Sequence, residues 1–200
     1  MVATAMPAAS RSPWRHLPNA ISLVRVALIA PIGWLLLDRA WPAALGLIAL
    51  AGASDGLDGF LARHYGWQSR LGGMLDAIAD KLLLVTCFLL LARLDVVPLW
   101  LAMLVCGRDL LIVTGALVWR VLIGPIQPQP SLLSKACTLL QILYLLAVLL
   151  TVASWTPKLA AWLPACLAWL VAALCVASGL DYTLRWSYRA WRVWRGRSHR

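Results

Sequence analysis

Glutamate is missing altogether from this 200-residue chain, whose only acids are eight aspartates, and charged residues of either sign make up just 13 %. An ordinary soluble domain carries about a quarter charged and 45–50 % apolar residues, whereas the apolar share here is 62 %. That shortage of charge argues against a water-soluble fold. The five cysteines (Cys87, Cys106, Cys137, Cys166, Cys175) share no metal-binding spacing, and each lies in a hydrophobic run or at its mouth. They read as reduced core thiols with no disulfide framework. Residues 1–19 lack the continuous apolar stretch of a signal peptide, so no cleavage is expected. Internal repeats and low-complexity tracts are also absent, and the Pro/Gln-rich segment 124–130 reads as an exposed loop.

What the chain has in abundance is material for crossing a bilayer. A helical crossing needs roughly 20 mostly apolar residues, so the apolar content suffices for about six. Punctuation by proline, glycine and charge gives six runs, at residues 20–37, 41–62, 72–91, 96–119, 132–154 and 159–180. The expected fold is an all-α integral membrane protein with six transmembrane helices. A short interfacial helix near residues 12–17, carrying Trp14 among Arg11, Arg15 and His16, precedes them. The organisation is then an N-terminal cytoplasmic or interfacial segment (1–19), a transmembrane domain (20–182) and a basic cytoplasmic tail (183–200).

Lysine and arginine number 18 against the eight acids, a net charge of +10. Such an excess suits nucleic acid, anionic lipid or membrane orientation, and the positions of the charges favour the membrane. Arg185, Arg189, Arg192, Arg195, Arg197 and Arg200 sit among Trp186, Tyr188, Trp191 and Trp194, the mixture expected where a helix leaves the bilayer on its cytoplasmic side. One set of helix ends holds twelve basic residues and the other only Arg39, Arg93 and Lys158. Both termini and the second and fourth loops are therefore expected in the cytoplasm. No nucleic-acid partner is expected.

Four of the eight aspartates fall inside one predicted membrane hairpin: Asp55 and Asp58 near the end of the second run, Asp76 and Asp80 near the start of the third. At about 100° per residue, the members of each pair lie within roughly 60° on one helix face. Both pairs lie roughly 6 to 12 Å below the cytoplasmic helix ends, so they are expected to face each other at matching depth. An aspartate at the centre of a membrane helix costs about 3 kcal/mol, and four cost on the order of 10 before mutual repulsion. Lys81 and Arg63 are available to neutralise two of the charges. A converging set of hard carboxylate oxygens suits one or two Mg²⁺ or Mn²⁺ ions. Isolated polar contacts or helix caps explain one or two such residues but not all four. Intramembrane carboxylates also mark ion pathways, so a divalent-cation transporter is the reading from another class. It predicts polar residues reaching the outer face, where the helices are instead nearly all Leu, Ala, Val and Trp.

Three more cations suggest an anion site: Arg25 in the first run, Arg108 in the fourth and Lys135 at the mouth of the fifth. Arg108 lies about 18 Å in from Arg120, where an unpaired arginine is disfavoured. Its neighbour Asp109 points about 100° away and is expected to pair poorly. An acceptor bearing phosphate would suit these cations.

Asp55-Gly-Leu-Asp58-Gly59-Phe-Leu-Ala62-Arg63, eight residues, Gly72, three residues, Asp76, three residues and Asp80 resembles the signature of the CDP-alcohol phosphatidyltransferase family, with all eight fixed residues filled across 26 positions. Pro18-Asn19-Ala-Ile-Ser22-Leu-Val-Arg25 resembles the segment opening that family's first helix, and the likeness covers about residues 17–181. The resemblance implies that Asp55, Asp58, Asp76 and Asp80 hold two divalent ions gripping the pyrophosphate of a CDP-linked lipid, with Asp80 also the general base. It further implies that Asn19, Ser22, Gly59, Arg63, Ser69 and Gly72 bind the CDP moiety, and that the protein is a homodimer. The segment Gly107-Arg108-Asp109, with 130–141, is closer to enzymes making cardiolipin from CDP-diacylglycerol and phosphatidylglycerol. Enzymes making phosphatidylglycerophosphate from glycerol 3-phosphate more often have Arg-Glu and a second lysine there. Ala77, where many relatives have proline, and Cys137, often asparagine in the cardiolipin enzymes, depart from the pattern. The implied place is the bacterial inner membrane, with the active site on the cytoplasmic side.

Overall fold

The computed structural model describes residues 17–64, 70–122, 132–153 and 162–197; side chains are described within these apart from 17–22, 55–64, 70–77, 121–122, 189–194 and 196–197. The described chain is all-helical, in six helices: α1 (Leu17–Leu37), α2 (Trp41–His64), α3 (Arg70–Arg93), α4 (Leu99–Leu122), α5 (Leu132–Val152) and α6 (Trp162–Arg197). The interfacial helix expected near residues 12–17 lies almost wholly outside the described residues.

Local chemistry explains several boundaries. Pro42 and Pro164 fall in the first turns of α2 and α6, where a missing N–H costs nothing. α1 and α3 each end on a residue with left-handed backbone, Arg39 at φ 57° and Asp95 at φ 58°. In both ends two amides reach back: Arg39 N to Leu36 O and Ala40 N to Leu35 O, then Asp95 N to Ala92 O and Val96 N to Leu91 O. This pairing satisfies the last carbonyls of the helix and usually has glycine at the left-handed position. Arg39→Gly is therefore expected to stabilise the fold by about 1 kcal/mol. An unfolding temperature in detergent raised by a few degrees would show it, and an unchanged one would mean that Arg39 bears no strain.

The core forms where α1, α3, α4, α5 and α6 meet. Ile32, Leu36, Phe88, Leu91, Leu101, Val105, Leu149 and Val171 are fully or almost fully buried, and the Phe88 and Tyr144 rings stack at 5.9 Å. Among the described residues α1 packs on both α2 and α3, α5 touches both of these helices, and α4 and α5 pack on α6. Gly115 allows α4 close to α6: a Cβ there would meet the Tyr182 ring at 3.0 Å. The Tyr182 hydroxyl donates to the Ile112 carbonyl at 3.0 Å.

Large apolar side chains are as common outside as inside. Trp34, Trp169 and Leu110 are exposed by 75, 71 and 64 %. Helices apolar on every side belong in lipid, and this is a membrane protein. Among the described residues three segments are long and apolar enough to cross a bilayer, Leu99–Arg120, Leu132–Val152 and Trp162–Tyr188. α3 is interrupted by Asp76, Asp80 and Lys81, so the residues that suggest chemistry also weaken its case as a plain span.

The apolar run expected at 159–180 belongs to a longer helix: α6 runs on through most of the basic tail to Arg197, and Asp181 pairs with Arg185 one turn on at 2.6 Å. One expectation is corrected. Of the five free thiols, Cys87, Cys137 and Cys175 are core residues, but Cys106 is only partly buried and Cys166 is exposed.

Candidate active site

The four signature aspartates lie on two helices, Asp55 and Asp58 on α2 and Asp76 and Asp80 on α3. Of their side chains only that of Asp80 is described. The side chains of Asp55, Asp58, Asp76, Asn19, Ser22 and Arg63, like the surroundings of Gly59 and Gly72, are outside the described set, and Ser69 is outside the described residues altogether. Among the described residues no group of three metal-ligating side chains occurs. The donor chemistry nevertheless fits a hard dication, because all four signature groups are carboxylates and α2 and α3 share α1 and α5 as neighbours.

The Asp80 side chain is 44 % exposed and meets Arg25 of α1, whose Nη1 donates to Oδ1 at 2.7 Å. The Arg25 side chain is only 2 % exposed. A cation so deep in an apolar helix needs an anion, and the carboxylate one helix away answers it. Two sequence-derived candidates, one for the acceptor site and one for proton transfer, thus form a single ion pair.

The second polar cluster runs through four helices. Lys81 Nζ of α3 lies 2.8 Å from Asp109 Oδ2 of α4, and Arg108 Nη1 lies 2.6 Å from Asp109 Oδ1. Arg108 Nη2 donates at 2.7 Å to Ser134 Oγ of α5 and at 2.7 Å to Ser178 Oγ of α6. Here the structure differs from the sequence reading twice. Asp109 does pair with its neighbour despite the helical angle, because the long Arg108 side chain can curl while its far nitrogen is held by two hydroxyls. Lys81, expected to neutralise a signature carboxylate, pairs with Asp109 instead. Its position, about 100° round the helix from Asp80, turns it toward α4.

Lys135 is exposed on the first turn of α5, beside Ser134. Arg25 and Arg108 are therefore built into ion pairs, and Lys135 lies at the surface. Ser178, Ser134 and Asp109 as joint partners of Arg108 were not foreseen; the readable signal is a small hydroxyl at Ser178 inside the apolar run of α6. Deeper between the same helices, Gln141 Nε2 is 3.5 Å from the sulfurs of both Cys137 and Cys175, which are 3.4 Å apart.

Among the described side chains, the buried arginines of α1 and α4 thus each meet an aspartate, Arg25 with Asp80 and Arg108 with Asp109. The family profile for CDP-alcohol phosphatidyltransferase matches residues 15–182, and the chain belongs to that family of membrane-embedded, divalent-metal-dependent transferases. It is similar to human cardiolipin synthase (CMP-forming), 36 % identical over 115 residues, or 57 % of this chain and 38 % of the relative. It is 36 % identical over 132 residues to the cardiolipin synthase (CMP-forming) of Streptomyces coelicolor (61 % of this chain, 59 % of the relative). To CDP-diacylglycerol–glycerol-3-phosphate 3-phosphatidyltransferase of Bacillus subtilis it is 31 % identical over 148 residues (62 % and 77 %). The chain thus spans little more than a third of the human relative's length.

Proposed function

We infer that the protein makes phospholipid, moving a phosphatidyl group from CDP-diacylglycerol to a hydroxyl of a phosphate-bearing acceptor and releasing CMP. The acceptor favoured is phosphatidylglycerol, which gives cardiolipin. The second reading is glycerol 3-phosphate as acceptor, giving phosphatidylglycerophosphate, and a relative carrying that name keeps it open. The observation that carries the proposal is the complete eight-residue signature on α2 and α3, inside the matched family segment.

In this reading Asp55, Asp58, Asp76 and Asp80 hold two Mg²⁺ or Mn²⁺ ions, which when bound offset the charge of the pyrophosphate and of the leaving oxygen. Asn19, Ser22, Gly59, Arg63, Ser69 and Gly72 receive the CDP portion; Arg25, Arg108 and Lys135 receive the acceptor's phosphate. The acceptor oxygen bonds to the lipid-linked phosphorus, the bond from that phosphorus to the CMP oxygen breaks, and Asp80 takes the hydroxyl proton. What supports the reading is that Arg25, one of the proposed phosphate-holding cations, lies 2.7 Å from Asp80, the proposed base. All six helices cross or enter a bacterial inner membrane in this proposal, with termini and site in the cytoplasm and two copies forming a dimer. The lopsided basic charge supports that orientation.

The test is to give the purified protein CDP-diacylglycerol with phosphatidylglycerol or with glycerol 3-phosphate and to identify both products. Cardiolipin and CMP are expected. Phosphatidylglycerophosphate would select the second reading, and no CMP with either acceptor would sink both.

A further inference from the structure

Two cations from different helices, Lys81 and Arg108, grip one carboxylate, that of Asp109, at 2.8 and 2.6 Å. Arg108 and Asp109 are 5 and 4 % exposed, so water and salt screen them little. The hydroxyls of Ser134 and Ser178 hold the other arm of Arg108 without adding charge. The unit therefore carries one surplus positive charge. Near neutral pH a phosphodiester brings one negative charge, whereas a phosphomonoester brings roughly 1.5 to 2. A diester matches the surplus. A monoester leaves excess negative charge close to the Asp109 carboxylate, in surroundings where like charges a few ångströms apart repel strongly.

We propose that Asp109 determines acceptor choice: by trimming the Lys81–Arg108 pair to one net charge, it admits an alcohol bearing a phosphodiester and disfavours one bearing a phosphomonoester. The proposal rests on the phosphate-bearing-acceptor reading above. It differs from a merely structural role, in which Asp109 would only tie α3 to α4, by making acceptor selectivity depend on its charge.

Purified full-length protein is assayed with CDP-diacylglycerol and either phosphatidylglycerol or glycerol 3-phosphate, and the ratio of the two kcat/KM values is compared between variants, which cancels any difference in lipid partitioning. The wild type is expected to favour phosphatidylglycerol. Asp109→Asn adds one positive charge to the unit and is expected to move the ratio toward glycerol 3-phosphate by about tenfold. Asp109→Glu keeps the charge and leaves the ratio within about twofold. Lys81→Met removes a cation and moves the ratio the other way, so the inference stays testable even where Asp109→Asn does not fold. Asp109→Asn slowing both acceptors by one factor, or Lys81→Met leaving the ratio unchanged, overturns the proposal while the transferase reading stands. A wild type that prefers glycerol 3-phosphate overturns it as well. A wild type that releases no CMP with either acceptor removes the reading beneath it, and the proposal with it.

Discussion

Asp80→Asn is expected to lower CMP release from CDP-diacylglycerol by at least about a thousandfold. Loss of a positioned general base alone costs about 10² to 10⁴ in rate, and the same substitution weakens one of the four proposed ion ligands. The protein should nevertheless remain folded. The asparagine carbonyl still accepts from Arg25 Nη1, which now donates to Asp80 at 2.7 Å, so the buried guanidinium keeps a hydrogen bond though it loses the opposing charge. Asp80→Ala takes away both the hydrogen bond and this opposing charge from a guanidinium whose side chain is 2 % exposed, and should be less stable than Asp80→Asn. Gel filtration in detergent and a CMP assay on the same sample separate folding from chemistry. Full activity in Asp80→Asn would remove the carboxylate from the reaction.

Stripping divalent ions with EDTA should bring turnover to background, and Mg²⁺ or Mn²⁺ should restore it. In the proposed site four aspartates converge and repel one another unless cations intervene; of the described cations Arg25 meets Asp80, while Lys81 is held by Asp109. Chelation should therefore also lower the unfolding temperature. An ion present at a hundred times its dissociation constant stabilises a folded protein by about 2.7 kcal/mol. Turnover and unfolding temperature both indifferent to EDTA would rule out ions at these carboxylates.

Helix positions were largely legible in the sequence, because runs bounded by proline, glycine and charge mark them directly. The run at 41–62 became Trp41–His64 and the run at 132–154 became Leu132–Val152. The end of α6 was not legible, since arginine and tryptophan are good enough helix residues to prolong a span into what reads as a tail. The clustering of four aspartates on α2 and α3 was visible as spacing, whereas the signature itself was recognised through its resemblance to the family's pattern. The pairing of charges was not legible, because helical periodicity gives the angle at which a side chain leaves its own helix and says nothing of which helix stands opposite. Lys81 illustrates this: its neighbour in sequence is Asp80, but its partner is Asp109 on α4. Arg108 shows the converse, for a long flexible side chain overrides the angle that separates it from Asp109.

The 36 residues of α6 make a rod about 54 Å long, whereas the hydrocarbon layer is about 30 Å thick. Its arginine-bearing end must stand clear of the oil, some 28 Å from Ser178 along the same axis. Ser178 holds Arg108 at 2.7 Å, so one continuous helix carries both a partner of that buried guanidinium and the segment that overhangs the oil.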